Sequence, residues 1–250
     1  ITVFPDAKGI VEKNMSHLRK LEGLTQDEGV VFGTVADAFE AEESSIKLSI
    51  SLLDSQKTGY FLDQRLNRLF VRHISSGKTV LDCYTNQGGF ALNASAGGAQ
   101  SITAVDISEK AIQQARTNAE LNKMKNISFV VKDCSDYLAD CSEQNEHFDI
   151  VILDPPAFAK NKKSIPTATA AYKKINKAAL KIINQGGYLV TSSCSQHISE
   201  SDFVSIVEDA ARSTGRILRV VFRGLQSPDH PILLPMPETK YLKFFVFQAF

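Results

Sequence analysis

The sequence predicts an α/β protein: a doubly wound, mostly parallel sheet of seven strands with an antiparallel last strand, preceded by a small β-rich domain. Three observations predict it. From Thr79 onward, β-rich runs alternate with helical patterns; an irregular proline-rich loop joins the last two runs; and the first 55 residues lack this alternation. The predicted domains are therefore residues 1–55 and 56–250.

The seven predicted strands are Thr79–Cys83, Ser101–Val105, Ile127–Val131, Phe148–Leu153, Gly187–Ser192, Arg216–Phe222 and Tyr241–Gln248. Helical patterns separate the first six; one runs from Ser108 to Asn122, with Ser108 suited to cap it. Alternation at this spacing indicates parallel strands. The loop at 227–237 is too irregular for a helical crossover, so the last strand is predicted to be antiparallel.

The segment before Thr79 contains two further features. The β-rich runs Gly29–Val35 and Ile46–Leu52 predict a small antiparallel element in the N-terminal domain. A predicted helix follows Gly59, with Leu62, Leu66, Leu69 and Phe70 on one face. The polar residues 63–65 at the start of this helix are placed either beside a ligand site or simply to cap the helix.

The stretch from Thr79 to Phe90 carries the strongest functional signal. A strand ending in Asp82-Cys83 leads through a turn with Gly88 and Gly89 into an alanine-rich helix. Such a turn lets the backbone approach a nucleotide-type ligand closely, although a tight strand-to-helix turn alone would look the same. Asp106 ends the next strand, where an acidic residue can accept hydrogen bonds from a ribose.

The loop lacks the G-x-G-x-x-G pattern that seats the pyrophosphate of a dinucleotide on a helix N-terminus. It begins instead with Asp82, whose carboxylate would repel phosphate and could hold a cationic amino group. S-adenosylmethionine contains a ribose, an adenine and an ammonium but no phosphate, so these residues favour it as the cofactor. A nicotinamide-dependent oxidoreductase fits less well for the same reason.

Composition narrows the class of protein. The chain has 250 residues, 43% of them hydrophobic, and 28 basic and 28 acidic residues, so its net charge does not indicate a polyanionic partner. From Pro155 to Ser199 it has lysines but no Asp or Glu, which is typical of phosphate-backbone contact or of a solvated helix face. Four cysteines without C-x-x-C spacing predict no metal site, no disulfide framework and a cytoplasmic location. No membrane-spanning segment is expected.

Several unusual residues follow the predicted strands, at the edge where such sheets bind ligands. Asp133 is placed for an adenine amine or for helix capping. In Asp154–Phe158, two prolines leave Asp154 as an acceptor for a planar ring, while Phe158 offers a stacking face. Most lone cysteines are buried, but Cys194 lies among serines just past a strand end and is predicted to be a nucleophile facing Asp154.

Five segments in order resemble the bacterial large-subunit ribosomal RNA cytosine-5 methyltransferases that carry an N-terminal PUA domain: Thr58–Arg65, Asp82–Phe90, Asp154–Pro156, Ser192–Ser195 and Asp229–Pro231. The resemblance covers nearly the whole chain. It implies a Rossmann-like class I methyltransferase fold, S-adenosylmethionine as the cofactor and ribosomal RNA as the partner. No PUA domain is recognisable, so a segment preceding Ile1 is expected. A homodimer is a candidate assembly.

The resemblance also implies a mechanism. The Cys194 thiolate would add to carbon 6 of cytosine, Asp154 would bond the N3/N4 edge, and carbon 5 would take the methyl group. The sequence does not identify the group that accepts the carbon-5 proton: a water and His197, which also fits a surface residue, are the candidates. The base would be unstacked to reach the pocket, with Phe158 or Tyr84 against its face.

The predicted catalytic residues are Cys194 and Asp154. The predicted cofactor-binding residues are Gln64, Asp82, Tyr84, Thr85, Asn86, Gly88, Asp106, Ile107, Asp133, Cys134 and Asp154; the predicted substrate-binding residues are Pro155, Pro156, Phe158 and Lys160. Two alternatives remain open. One is a methyltransferase of the same fold that acts on a guanine nitrogen of ribosomal RNA and needs no thiolate. The other is a non-catalytic RNA-binding protein that uses the fold as a scaffold.

Overall fold

The computed structural model describes residues 4–52, 59–159 and 161–250. The chain separates into two compact units: Ile1–Glu43 with Lys47–Phe61, and Ser44–Ile46 with Leu62–Phe250. The domain boundary predicted at 55/56 and the predicted substrate contact Lys160 both lie outside the described residues. No helix within the described ranges has the length and apolar character needed to cross a bilayer.

The smaller unit is β-rich, as predicted. Its elements are β1 (Gly9–Lys13), α1 (His17–Leu21), β2 (Glu28–Gly33), β3 (Phe39–Glu43) and most of β4 (Ile46–Ile50). β1 and β2 pair in antiparallel fashion, with an irregular register between Ile10 and Val11, and β3 pairs with β4 in a second two-stranded sheet. The predicted β-rich runs at Gly29–Val35 and Ile46–Leu52 correspond to β2 and β4.

The larger unit alternates helices and strands. Its elements are α2 (Arg65–Ile74), β5 (Thr79–Cys83), α3 (Gly89–Ala96), β6 (Ser101–Asp106), α4 (Glu109–Leu121), β7 (Ile127–Val131), α5 (Cys134–Glu143), β8 (Phe148–Leu153), α6 (Ile165–Ile182), β9 (Ile183–Ser193), α7 (Glu200–Arg212), β10 (Leu218–Gly224) and β11 (Lys243–Ala249). All seven predicted strands are present. β10 and β11 begin two residues later than predicted, and β9 begins four residues earlier.

These seven strands form one sheet in the order β10-β11-β9-β8-β5-β6-β7. The strands β5 to β9 are mutually parallel, and β11 lies antiparallel between β9 and β10. This confirms the predicted doubly wound sheet and its antiparallel last strand. Because β8 and β9 are neighbours, the residues that follow them share one end of the sheet.

The central strands are apolar on both faces, which is typical of parallel strands covered by helices on each side. Along β8, Ile150 and Ile152 belong to one core cluster, whereas Val151 and Leu153 belong to the other. All four side chains are 0% exposed. Burying an aliphatic side chain of this size stabilises the folded state by roughly 1.5–3 kcal/mol, so the centre of the sheet is a firm platform for its loops.

The helix α2 differs from its prediction. Leu62 lies in a short 3-10 turn before the helix, and Leu62 and Leu66 are 42% and 46% exposed. The face that the helix buries carries Asn67, Arg68 and Val71 instead. The Asn67 amide donates to Gln64 Oε1 at 2.7 Å, and Phe70 packs with Val71 against the core, so hydrogen bonds and only part of the predicted apolar face orient this helix.

Candidate functional site

Most of the predicted site residues that the structure describes lie at or just after the carboxyl ends of β5, β6, β7, β8 and β9, as expected for this class of sheet, while Gln64 lies in the 3-10 turn before α2. Asp82 belongs to β5 and Asp106 ends β6, while Asp133, Asp154 and Cys194 follow β7, β8 and β9. The sheet therefore brings residues that are more than a hundred positions apart in the chain to a single edge.

Asp82 is fully buried and only partly hydrogen-bonded. Its Oδ2 accepts from Thr85 Oγ1 at 2.6 Å and from the Ala91 backbone N–H at 3.0 Å. Its Oδ1 is buried and has no hydrogen-bond partner among the residues that the structure describes. Burial raises the pKa of this carboxyl from 3.8 to about 7. An unsatisfied buried acceptor costs free energy, so Asp82 is suited to receive a cationic donor.

The loop after Asp82 has an unusual backbone. Tyr84 and Asn86 have φ values of 63° and 50°. These lie in the left-handed region of backbone conformation, which residues other than glycine rarely adopt. Gly88 has φ 84°, and a Cβ placed there would lie 3.2 Å from Ala115 Cβ on α4. Thr85 N–H donates to Val105 O at 3.0 Å and holds the loop against β6. Strained backbone of this kind is typical of ligand-binding loops.

The Asp106 carboxylate joins the loop after β5 to the loop after β6, both part of the predicted cofactor site. Its Oδ2 accepts from the Asn86 backbone N–H and its Oδ1 from the Ser108 N–H, both at 2.9 Å. Asp106 is half-buried, so its carboxylate is placed to accept further bonds from a ribose. Ile107 next to it is 69% exposed and presents an apolar side chain at the same edge.

Asp133 and Cys134 have clear structural roles. The Asp133 carboxylate caps α5 by accepting from Ser135 N–H at 2.8 Å. The Cys134 thiol is buried, and its sulfur accepts from Tyr84 N–H at 3.1 Å, so it supports the strained loop. Their predicted contacts with an adenine ring stay predictions.

Asp154 follows β8 and is held by two partners. Gln64 Nε2 donates to Asp154 Oδ1 at 2.8 Å, and Ser192 Oγ donates to the same oxygen. Burial raises the pKa of Asp154 from 3.8 to about 6. Gln64 is itself 3% exposed, so its side chain is buried and positions Asp154 rather than lying on the surface or only capping the helix.

The Asp-Pro-Pro loop after β8 packs onto α6. Pro155 is buried and Pro156 is exposed. The half-buried Phe158 ring lies 4.7 Å from the Tyr172 ring, centroid to centroid, at an angle of 49°. Phe158 thus has a fixed neighbour on one side, and its predicted stacking against a base stays a prediction.

Cys194 is partly exposed, unlike Cys83, Cys134 and Cys141, which are at most 2% exposed. It lies between two fully buried serines, Ser193 and Ser195. Cys194 is therefore a partly exposed residue in a segment whose flanking residues belong to the core.

A polar cluster holds the Cys194 segment in place. Ser193 Oγ donates to the Tyr172 hydroxyl at 3.0 Å, and that hydroxyl lies 2.9 Å from Ser195 Oγ. Ser195 Oγ also accepts from Ala159 N–H at 3.1 Å in the Asp-Pro-Pro loop. The two loops that carry Asp154 and Cys194 are consequently joined by side-chain hydrogen bonds.

Sequence reasoning assigned no role to three residues of this site. Ser192 holds Asp154; the Tyr241 hydroxyl donates to Asp63 Oδ2 at 2.7 Å, next to Gln64; and Lys243 Nζ donates to Ser195 O at 2.7 Å. One sequence signal could have identified Lys243, because it is a lone charged residue in the apolar run of β11.

The half-buried His197 stays a candidate proton acceptor. Within the described ranges, no cluster of three His, Cys, Asp or Glu side chains is placed to hold a metal.

Asp82 should make stability depend on pH. Because its pKa is raised to about 7 in the folded state, the stability that its proton contributes is present below pH 3.8 and lost as pH rises through 7. We expect the free energy of unfolding to fall by up to about 4 kcal/mol across this range, measured by urea titration without ligand.

The variant Asp82→Asn isolates this effect. Asp154, whose pKa is also raised, contributes in the same direction and remains in the variant. The difference in pH dependence between the two proteins therefore reports Asp82 together with its electrostatic interaction with Asp154. Identical slopes for both proteins between pH 4 and 7 would contradict the assignment.

Comparison with known proteins identifies relatives. The family model for S-adenosylmethionine-dependent methyltransferase matches residues 27–245. Two proteins named ribosomal RNA large subunit methyltransferase I are similar: one from Aeromonas salmonicida, 39% identical over 99% of this chain, and one from Escherichia coli, 37% identical over 98%. The chain spans 63% and 62% of their lengths. A solved structure of a candidate methyltransferase complexed with SAH superposes with a TM-score of 0.80, at 27% identity, over 88% of this chain and 58% of that one.

The residues at the β5 loop fit the cofactor of this family. The orphaned Asp82 oxygen matches an ammonium group, and Asp106 at the end of β6 matches a ribose. A family model that covers most of the chain, together with this loop, shows that the chain belongs to the S-adenosylmethionine-dependent methyltransferases and that S-adenosylmethionine is its cofactor, as the sequence predicted.

Proposed function

We propose that this protein methylates carbon 5 of a cytosine in large-subunit ribosomal RNA, with Cys194 as the nucleophile, and that it acts in the cytoplasm, where ribosomes are assembled. One observation carries the proposal. The partly exposed Cys194 lies two residues beyond Ser192, whose hydroxyl binds the Asp154 carboxyl, so a cysteine and a carboxyl share one edge of the sheet. The names of the relatives from Aeromonas salmonicida and Escherichia coli support ribosomal RNA as the substrate.

This chemistry requires a nucleophile. Carbon 5 of cytosine is a weak nucleophile, and addition of the Cys194 thiolate to carbon 6 converts the ring into an enamine that reacts at carbon 5. Asp154 suits the N3/N4 edge because its pKa of about 6 lets it exchange a proton near neutral pH. Because Oδ1 already accepts from Gln64 and Ser192, Oδ2 is the atom left for the base: protonated it donates to N3, and ionised it accepts from the N4 amine.

The remaining steps restore the ring. The cofactor supplies the methyl group when it is bound. A base then removes the proton from carbon 5, the carbon 5–carbon 6 double bond re-forms, and the Cys194 thiolate leaves with the electron pair of the carbon–sulfur bond. His197, three residues beyond Cys194, or a water is the candidate base.

The same geometry weighs against the alternatives. Methylation of a guanine nitrogen uses a lone pair that is already nucleophilic, so it gives an accessible Cys194 no role. A non-catalytic RNA-binding protein needs no cofactor pocket, which is at odds with membership of a cofactor-dependent family. Calorimetry with S-adenosylmethionine separates this last alternative from the other two. The predicted homodimer stays a prediction.

Mass spectrometry of ribosomal RNA tests the proposal. Cells that lack this protein should lose one 5-methylcytosine from their large-subunit RNA, and the unmodified gene should restore it. A gene that encodes Cys194→Ala should not restore it. If every 5-methylcytosine persists in the deletion strain, the proposed substrate is wrong; if a methylguanosine disappears instead, the guanine alternative replaces it.

A further inference from the structure

Lys243 is a buried cation in an apolar strand. It is 6% exposed and lies at the start of β11, followed by Phe244, Phe245 and Val246. Its ammonium donates to Ser195 O at 2.7 Å and to Tyr241 O at 2.9 Å. Lysine is rarely buried without partners, because removing its charge from water costs several kcal/mol. A buried lysine that is held by two carbonyls therefore needs an explanation.

The position of Lys243 is defined relative to Cys194. In the pairing of β11 with β9, Lys243 lies opposite Ser193, the residue before Cys194. Its ammonium binds the carbonyl of Ser195, the residue after Cys194. Lys243 therefore contacts the chain on both sides of the thiol, and its charge interacts favourably with Cys194.

The other ionisable groups around this pair come from three elements. Tyr172 on α6 and Tyr241 before β11 both interact with Cys194, and burial raises the pKa of each phenol, so both are neutral at pH 7. Glu200 on α7 faces Lys243, but it also forms ion pairs with Arg223 and Lys240. Burial lowers the pKa of Lys243 to about 8, which still leaves most of the ammonium protonated at pH 7.

We propose that Lys243 is a positioning residue for the nucleophile: its backbone pairs opposite Ser193, its ammonium holds the carbonyl of Ser195, and its charge stabilises the negative charge on Cys194 Sγ. This inference rests on the proposed role of Cys194. Lys243 supplies this positive charge from outside the lysine-rich segment 155–199. The lysines of α6 are exposed or half-buried, and Lys173 there is engaged with Asp209.

The test is the pH dependence of the alkylation of Cys194 by iodoacetamide, followed at this residue by mass spectrometry. The other three cysteines are buried and give little background. For the unmodified protein we expect the alkylation rate to reach half its maximum, the midpoint, at a pH about one unit below 8.5, the pKa of an ordinary thiol. Lys243→Gln, which keeps a hydrogen-bond donor but loses the charge, should raise the midpoint by about one unit and slow alkylation at pH 7 about tenfold.

Two further variants separate charge from structure. Lys243→Arg keeps the charge and should retain the low midpoint. Lys240→Gln removes an exposed lysine three residues earlier and should leave the profile unchanged. An unshifted profile for Lys243→Gln, or an Arg variant that behaves like the Gln variant, overturns the proposal. A midpoint of 8.5 or above in the unmodified protein also overturns it, even if Lys243→Gln does not fold.

Alkylation needs neither RNA nor cofactor, so it is independent of the substrate. If Cys194→Ala still methylates RNA, the proposed function fails, whereas the alkylation profiles still report whether Lys243 stabilises the thiolate. If Cys194→Ala is inactive and Lys243→Gln leaves the profile unshifted, only this inference fails.

Discussion

Replacing Cys194 by alanine should lower the rate of methyl transfer to ribosomal RNA by at least about 10³-fold. Without the thiolate, carbon 5 stays a weak nucleophile, and no described side chain at this edge other than Cys194 offers an accessible thiol to add to carbon 6. The rate is measured as transfer of a labelled methyl group to large-subunit RNA, and the product is identified as 5-methylcytosine by mass spectrometry.

Two controls sharpen the Cys194 experiment. Cys141→Ala replaces another cysteine, buried in the core on α5, and should retain turnover. Calorimetry should show that Cys194→Ala binds S-adenosylmethionine as tightly as the unmodified protein, which locates the loss in the chemical step. Turnover of Cys194→Ala at the unmodified rate would mean that the methyl acceptor is a nitrogen atom.

The substitution Asp82→Asn should weaken S-adenosylmethionine binding by about 10²-fold, from the loss of 2–5 kcal/mol that accompanies removal of one partner of a buried charge pair. The amide keeps the shape of the side chain and can still accept a hydrogen bond from Thr85. It lacks the negative charge that offsets the ammonium of the ligand. Isothermal titration calorimetry at pH 8, where the unmodified Asp82 is ionised, measures the difference.

Asp149→Asn is the matched control for this change. Asp149 belongs to β8 of the same sheet but lies near the opposite edge, where its Oδ2 accepts from Thr79 N–H at 2.9 Å. Partial burial alone would raise the pKa of Asp149, but its hydrogen bonds from Thr79 and Asn184 outweigh this effect and lower the pKa. Replacement of Asp149 should therefore reduce stability while leaving cofactor affinity unchanged. Equal affinities for Asp82→Asn and the unmodified protein would remove Asp82 from the cofactor site.

The sheet was predictable because its strands are short apolar runs separated by helical periods. β5, β7 and β8 have the predicted limits, and Ser108 caps α4 by accepting from Ala111 N–H at 3.2 Å. The face that α2 buries was not fully predictable, because the amide of Asn67 donates to Leu225 O, 158 positions away in the sequence. Periodicity carries no information about such pairings.

The same limit applies to the site. Residues directly after strands were identifiable, because chain order fixes where strands end and parallel pairing brings those ends together. Ser192 and Lys243 act through partners 38 and 48 positions away, Asp154 and Ser195. The register of β9 against β8 and β11 creates those contacts, and one sequence does not specify that register.

The bond from Ala159 N–H to Ser195 Oγ has a mechanical consequence. It joins the Asp-Pro-Pro loop to the segment that carries Cys194, and the Tyr172 hydroxyl on α6 lies within hydrogen-bond distance of the same Ser195 oxygen. A hinge motion in either segment would have to break this hydrogen bond, so we expect the Asp-Pro-Pro loop and the Cys194 segment to move together. If the protein takes in a flipped base as proposed, entry of that base would depend on rearrangement of the nucleic acid rather than on separation of these two segments.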